Sequence, residues 1–503
     1  MSAQSCSKSQ TSTHPPVKPK ETTNQSKRHG WEPEALAPAF VTIQGHAPRI
    51  EITTEATQTG SVSVREPSPK AKTNPSLGKA EIKSQSAQAE TIGMDAECFW
   101  IQIAEHIESL IPSKGTMTIA KIIRLIALIL ITSAPVGLTA EGLRKGRDIV
   151  IYDDPTFYSA FPSIVHRPNG ELIVAFRRAP ERRSFAETGI THTDPNSYLV
   201  LVRSRDGGKT WGSDPELIFA HPFGGSQDPC LLQLRDGSLL CSSYGWARLE
   251  MDAIAKLKQP VANYGNFVFL GGYILKSRDG GKSWQPPIFP PANPTELNLD
   301  IFGKTVAAYN RGAMCQGKDG RVHFAVAASA TNNSKHTEVH LMSSADNGQT
   351  WKYSCPIASD PKIQFNETSL FETPNRDLVA FVRTEGFNDH TVIARSTDQG
   401  KSFQWQDAGF RGHPHYALQL PDRRVLLVYG YRHKPYGIRA RVLDSECRDF
   451  KNSEEIILRD DGGNGDLGYP WATLVSKKQA LIVYYFNKND GTRQIAGTFL
   501  DLN

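Results

Sequence analysis

From Asp153 onward, short apolar or alternating runs recur along the chain, each broken by a tight-turn signal. SIVHRPNGELIVAF (Ser163–Phe176), LLQLRDGSLLCSSY (Leu231–Tyr244) and SLFETPNRDLVAFV (Ser369–Val382) each read as strand, turn, strand. ALQLPDRRVLLVYG (Ala417–Gly430) and ATLVSKKQALIVYY (Ala472–Tyr485) have the same form, and GAMCQGKDGRVHFAV (Gly312–Val326) adds a sixth hairpin. PNG, RDG, PNR and PDR supply turn chemistry between β-rich segments. A third apolar run follows most hairpins: YLVLVR (Tyr198–Arg203), GGYILK (Gly271–Lys276), EVHLMS (Glu338–Ser343) and TVIAR (Thr391–Arg395).

Directly after each of these third runs stands one octapeptide. SRDGGKTW (Ser204–Trp211) returns as SRDGGKSW (Ser277–Trp284), SADNGQTW (Ser344–Trp351) and STDQGKSF (Ser396–Phe403), with a worn copy, LDSEC, from Leu443. The copies lie roughly 50 to 70 residues apart, a period that suits units of about four short strands. Two adjacent glycines and an aspartate suggest a phosphate loop, but repetition favours scaffolding. Glycine at the fifth position permits the positive φ of a tight turn. The aspartate can accept the turn N–H groups, and the Ser or Thr hydroxyl can cross-link it. Six such units with almost no helical periodicity predict an all-β chain, a six-bladed β-propeller.

The N-terminal part differs. Residues 1–116 are low in large apolar side chains and rich in Ser, Thr, Gln, Lys and Pro up to about Thr91, which predicts disorder. One short amphipathic helix is expected over Cys98–Ile111. Residues 117–140 begin with Lys121 and Arg124, continue through an apolar run from Leu125 to Ile131, and end on small residues at Leu138-Thr139-Ala140. That is the layout of a secretory signal peptide, and it implies a secreted or periplasmic protein whose translation starts at Met117. The alternative is a true N-terminal tail and a membrane anchor through residues 121–134, although Pro135 and the shortness of the run argue against a span. If the signal is cleaved, no stable membrane insertion is expected. The propeller then occupies residues 141–503.

Composition adds little: of 503 residues 39% are apolar and 22% charged, with a net charge of +5. No basic block pairs with aromatic platforms, so nucleic acid is not an expected partner. The seven cysteines show no metal-ligand spacing, and no cofactor or metal is expected. Cys230 and Cys241 flank the RDG turn, which leaves a disulfide and two small core residues as alternatives.

The four octapeptides resemble the Asp-box, SxDxGxTW, of the sialidase superfamily, and the resemblance spans roughly Asp153 to Asn503. It implies a pocket at the central channel, where the innermost strands begin. Those starts read Phe161-Pro162, Gln227-Asp228, Asn310-Arg311, Asn366-Glu367, His413-Pro414-His415 and Gly468-Tyr469. Sialidases use a tyrosine nucleophile, a glutamate that activates it, an aspartate acid/base on a blade-1 loop and three arginines that grip a carboxylate. Tyrosine is a weak nucleophile at its ordinary pKa of about 10, so a neighbouring base is needed.

By this resemblance Tyr469, in GDLGYPWATL, is the nucleophile and Glu367, in FNETSLFE, its base. Asp194, in THTDPNSY, is the acid/base, with His192 beside it. Arg439, before the worn fifth box, matches the third arginine. The first arginine, of an R-I-P motif, is absent at Ala160-Phe161-Pro162, and Val392 stands where the second belongs. Arg311, Arg383 and Arg432 are candidates to regroup around an anion, with Asp228 and His413 as further substrate contacts. The resemblance thus implies an exo-acting glycoside hydrolase on a terminal, acidic sugar of a glycan or polysaccharide. Alternatives are a hydrolase or lyase for a non-sialic polysaccharide, through His192 or His413, and a non-catalytic glycan-binding propeller. FRRAPERR (Phe176–Arg183) reads as a solvated basic loop, and HPHY (His413–Tyr416) with YGYRHKPYG (Tyr429–Gly437) as sugar-facing loops. RDDGGNGD (Arg459–Asp466) reads as a connecting loop rather than a calcium site.

Overall fold

The computed structural model describes residues 142–502, apart from 188–192, 332, 334–335 and 489. His192, the helix expected over Cys98–Ile111 and the leader over 117–140 therefore lie outside the described residues. Among the described residues no helix is long and apolar enough to cross a membrane.

Six antiparallel sheets follow one another along the chain and form a six-bladed propeller. Blade 1 runs outward as Phe157–His166, Leu172–Pro180, Tyr198–Ser204 and Glu216–Phe219. Blade 4 repeats the plan with Gln364–Glu372, Leu378–Glu385, His390–Ser396 and Gln404–Arg411. Blades 3 and 5 do the same. Blade 6 contains Gly468–Ser476, Gln479–Asn487 and Arg493–Leu502, and its outermost strand is Leu143–Tyr152, from the other end of the propeller sequence. Hydrogen bonds between Leu143–Tyr152 and Arg493–Leu502 thus close the ring.

Both faces of each blade are covered, which explains why the central strands read as unbroken apolar runs. In blade 1, Leu172, Val174 and Phe176 enter a core shared with Trp471, Val483 and Tyr485 of blade 6. Ile173 and Ala175, pointing the other way, join Leu231, Cys241 and Tyr273 of blade 2. Side chains alternate across a strand, so a sheet buried on both sides has no polar face to show. Each full burial of such a side chain stabilises the fold by about 1.5–3 kcal/mol. The same alternation separates Cys230 from Cys241. Cys241 is paired in register with Leu231 and Cys230 with Ser242, so the two thiols fall on opposite faces, and both are free.

The octapeptides are the turns between third and fourth strands. In the first, Ser204 Oγ donates to Asp206 Oδ1 at 2.8 Å and accepts from Gly208 N at 2.9 Å. Asp206 also accepts Lys209 N, Thr210 N and the Thr210 hydroxyl. The other three copies repeat these bonds. The fifth-position glycines, Gly208, Gly281, Gly348 and Gly400, have φ between 81° and 85°.

Blade 2 departs from the pattern. Its inner edge is split into Gly225–Ser226 and Cys230–Gln233, and the chain makes an excursion between Leu239–Arg248 and Phe267–Ser277. This excursion, with one short helix at Met251–Ile254, is tied to the long connection that enters blade 3: Ala262 N donates to Leu299 O and Leu299 N to Pro260 O, both at 2.8 Å.

Candidate functional site

Three inner strands carry β-bulges near their starts, and each bulge holds a site residue. The register slips between Ala160 and Ser163, between Phe365 and Thr368, and between Gly468 and Trp471. A bulge re-aims the side chain it carries. Phe161 (φ 58°) and Tyr469 (φ 53°) occupy the left-handed region, where a bulky residue costs about 1–3 kcal/mol. Their rings pack edge to face, with centroids 4.7 Å apart.

Tyr469, Glu367 and Arg383 form a connected triple. The Tyr469 hydroxyl donates to Glu367 Oε1 in a short bond. Arg383 Nη1 donates to Glu367 Oε2 at 2.7 Å and to the Tyr469 oxygen at 3.3 Å, while Arg383 Nη2 holds Glu385 at 3.0 Å. Two further guanidinium groups lie over the Tyr469 ring, Arg311 at 4.9 Å and Arg432 at 5.0 Å from its centroid. Arg432 is anchored on Leu467 O and the Tyr485 hydroxyl. Arg311, Arg383 and Arg432 thus converge on this one phenol.

Burial pushes the Tyr469 hydroxyl far above the ordinary phenol range, and the Glu367 charge adds to it against Arg383 and Arg432. Burial also pushes Glu367 upward, but the Arg383 charge and the phenol hydrogen bond outweigh it, so Glu367 stays below the ordinary glutamate value. The resting proton therefore sits on Tyr469. Asp228 differs: burial lifts its pKa to about 7, opposed by Arg311 and assisted by Glu367. Its Oδ2 lies 4.0 Å from Arg311 Nε.

Asp194 and Arg439 are not brought to this cluster. Asp194 is wholly buried in a bidentate pair with Arg182, at 2.6 and 3.0 Å, and also accepts Asn196 N. Both its oxygens serve the blade-1 loop, which leaves a candidate acid/base without a free face. Arg439 donates to the carbonyls of Pro435, Ile438 and Arg459 and pairs with Glu455, toward the outer strand of blade 5. His413 is buried and kept neutral, first by burial and then by Arg383 and Arg432.

The basic segment Phe176–Arg183 is not a solvated loop. Arg177 and Arg178 belong to the strand Leu172–Pro180. Arg178 stacks on Phe157 at 3.5 Å and pairs with Asp154, Arg182 pairs with Asp194, and Arg183 with Glu181. Arg177 is wholly buried, and none of its three guanidinium nitrogens has a hydrogen-bond partner. It lies in register with Ala160 on the innermost strand of blade 1. Asp228 and Asp194 are among the charges that act on it. An arginine inside an apolar β run was the available signal in the sequence. Asp466, in RDDGGNGD, accepts from Tyr158, Tyr485 and Arg493 and so ties blade 6 to blade 1.

A cavity of about 350 Å³ opens beside the triple, and Arg311, Glu367, Arg383 and Glu385 line it. Four aromatic side chains, Tyr244, Trp246, Phe269 and Tyr309, line it as well.

A six-bladed Asp-box propeller with a tyrosine–glutamate–arginine cluster at its centre defines the class. Residues 259–481 match the BNR repeat-like domain. A protein of unknown function from Dyadobacter fermentans DSM 18053 is 56% identical, covers 72% of this chain and 100% of its own, and superposes with a TM-score of 0.71. The chain belongs to the same family as that protein and carries the BNR repeat-like domain. The Hadza microbial sialidase Hz136 shares the fold at 15% identity and a TM-score of 0.50, over 68% of this chain and 65% of the sialidase. No curated protein matches the sequence.

Proposed function

We propose that this protein is a secreted glycoside hydrolase that releases a terminal acidic sugar from a glycan or polysaccharide. The observation that carries the reading is the Tyr469–Glu367–Arg383 triple, with Arg311 and Arg432 over the phenol. A neutral nucleophile suits an anionic sugar, because a carboxylate nucleophile would repel it.

In the proposed route the substrate carboxylate competes for Arg383, Arg432 and Arg311, since arginine matches carboxylate geometry. Loss of Arg383 from Glu367 raises the basicity of Glu367. The Tyr469 oxygen then attacks the anomeric carbon as Glu367 takes the phenol proton, and the surrounding guanidinium groups stabilise the developing phenolate. Asp228 gives its proton to the leaving oxygen. Water next attacks the same carbon and yields its proton to Asp228, while the tyrosyl bond breaks and Glu367 returns the phenol proton. A carboxyl with a pKa of about 7 suits both of the Asp228 steps.

A second reading, a glycan-binding propeller without turnover, is favoured by one observation: Tyr469 is only 4% exposed. Release of free sugar from sialosides and uronic-acid polysaccharides, compared between wild type and Glu367→Ala, decides between them. Turnover lost in the variant supports the hydrolase. Binding of the same glycans with no turnover by wild type establishes the second reading.

A further inference from the structure

We infer that the blade-2 excursion, with the two loops beside it, is a docking surface for an anionic lipid membrane. The inference stands apart from the hydrolase reading, and it concerns surface attachment without a membrane span. Phe223 and Phe302 are 62% and 54% exposed, and their rings meet edge to face with centroids 5.2 Å apart. Phe223 belongs to the loop that enters blade 2, and Phe302 to the connection that enters blade 3. Met251, on the short helix of the excursion, is also more than half exposed. Single exposed apolar residues are ordinary, but two phenylalanines from separate loops that meet in water mark an interaction surface.

The core beneath does not hold these rings. Ile301, one residue before Phe302, turns inward and packs with Ile254, Val261 and Val268 under the excursion. The Phe302 turn is fixed by its own backbone: Asp300 Oδ1 accepts Phe302 N at 2.8 Å and Lys304 N at 3.0 Å, and Gly303 N donates to Asp300 O at 3.0 Å. A Cβ on Gly303 would touch the Lys258 side chain at 3.5 Å, and one on Gly224 would fall 2.1 Å from the Trp246 carbonyl oxygen. The Phe302 turn therefore lies against the excursion, and the Phe223 loop against the strand that leads into it. Both rings stand out from preformed loops, so little ordering is required on docking.

Charge selects the occupant. Arg248 at the foot of the excursion, Lys258 within it and Lys304 beside Phe302 are all exposed, and no carboxylate among the described residues pairs with them. Lys256 pairs with Asp252 at 3.2 Å, which leaves Glu250 as the one unpaired acid of the excursion among the described residues. Aromatic rings settle at the headgroup level of a bilayer, while lysine stems lie along apolar surface and place their charges among anionic headgroups. A second copy of this chain would instead bring the same unpaired cations against one another, which disfavours self-association.

The test uses the whole chain and vesicles of phosphatidylcholine, with and without about one third phosphatidylglycerol. Phe302→Trp gives a local readout: its emission should shift to the blue and be quenched by brominated lipid in the anionic vesicles, beyond any response of the wild type. In that background Phe223→Ser, and Lys258→Glu together with Lys304→Glu, should each lower the affinity read from quenching about tenfold. Raising the salt to about 0.5 M should weaken binding as well. Ile457→Ser, at an exposed apolar position on the outer strand of blade 5, should leave it within about twofold. Melting curves show that the variants fold. No lipid quenching at position 302, or quenching unchanged by Phe223→Ser, overturns the inference. Equal binding to phosphatidylcholine alone overturns the choice of an anionic surface. A dimer in sedimentation equilibrium that Phe223→Ser dissolves, without lipid quenching, assigns the surface to a second copy and overturns the inference too.

Discussion

Arg177 faces Ala160 in register across the first two strands of blade 1, wholly buried and with no hydrogen-bond partner for its guanidinium. The inner strand of blade 1 thus carries no arginine at that register position, and the next strand carries one. Burial lowers its pKa, and the aromatic faces of Tyr158 and Phe161 at 5.6 and 5.8 Å, with Asp228 nearby, offset part of that burial.

Arg177→Met separates function from stability. Apolar replacement of a buried ion is often neutral or stabilising, so the melting temperature should hold or rise. Activity on an acidic glycoside should fall at least about tenfold, because Asp228 and the substrate anion lose a neighbouring cation. Differential scanning calorimetry and initial rates check this; unchanged rates would show that Arg177 is only a packing element.

Tyr469→Phe should lower kcat on the order of 10³-fold or more while the fold persists. The lost hydrogen bond to charged Glu367 should cost about 1.5–3 kcal/mol in denaturant unfolding. Largely intact activity would instead point to the route through a histidine, with His413 the described candidate.

Asp228 governs the expected pH dependence. Its folded pKa of about 7 lies above the ordinary aspartate value of 3.8, so kcat/KM should decline as pH rises through about 7 and the acid form is lost. Between about pH 4 and 7 the folded state holds a proton that the unfolded chain releases. Stability should therefore decrease as pH rises across that window. Asp228→Asn should flatten the stability slope, remove the basic limb and lower kcat about 10²- to 10⁴-fold. A wild-type profile flat from pH 6 to 8 would exclude Asp228 as the acid.

Ser344→Ala should weaken the scaffold alone. Ser344 Oγ accepts Gly348 N at 2.9 Å and donates to Asp346 at 2.8 Å. Leaving that buried N–H unmet should cost about 1–3 kcal/mol in chemical unfolding. Unchanged KM for any substrate would confirm that the octapeptide is a turn staple and not a ligand loop.

The sequence alone determined what local chemistry controls. Turn residues, apolar runs and four octapeptides specify six blades, because each is a short-range pattern written within one unit. Counting back from those turns also placed Tyr469, Glu367, Arg311 and Asp228 at or beside inner-strand starts, which lie toward the axis in any propeller. Tertiary structure decided the rest. The closing strand Leu143–Tyr152 carries no octapeptide and pairs with Arg493–Leu502, at the far end of the chain. Asp194 and Arg439 had the right residue types, but their partners, Arg182 and a set of backbone carbonyls, are fixed only by loop packing. Arg177 lay within an apolar run, and nothing local distinguishes a cation turned into the protein from one turned into water. The aromatic wall joins an excursion of blade 2 to the connection into blade 3. Residue type sets what a side chain can do. Which side chains meet depends on long-range packing, and at this site that packing decides the electrostatics.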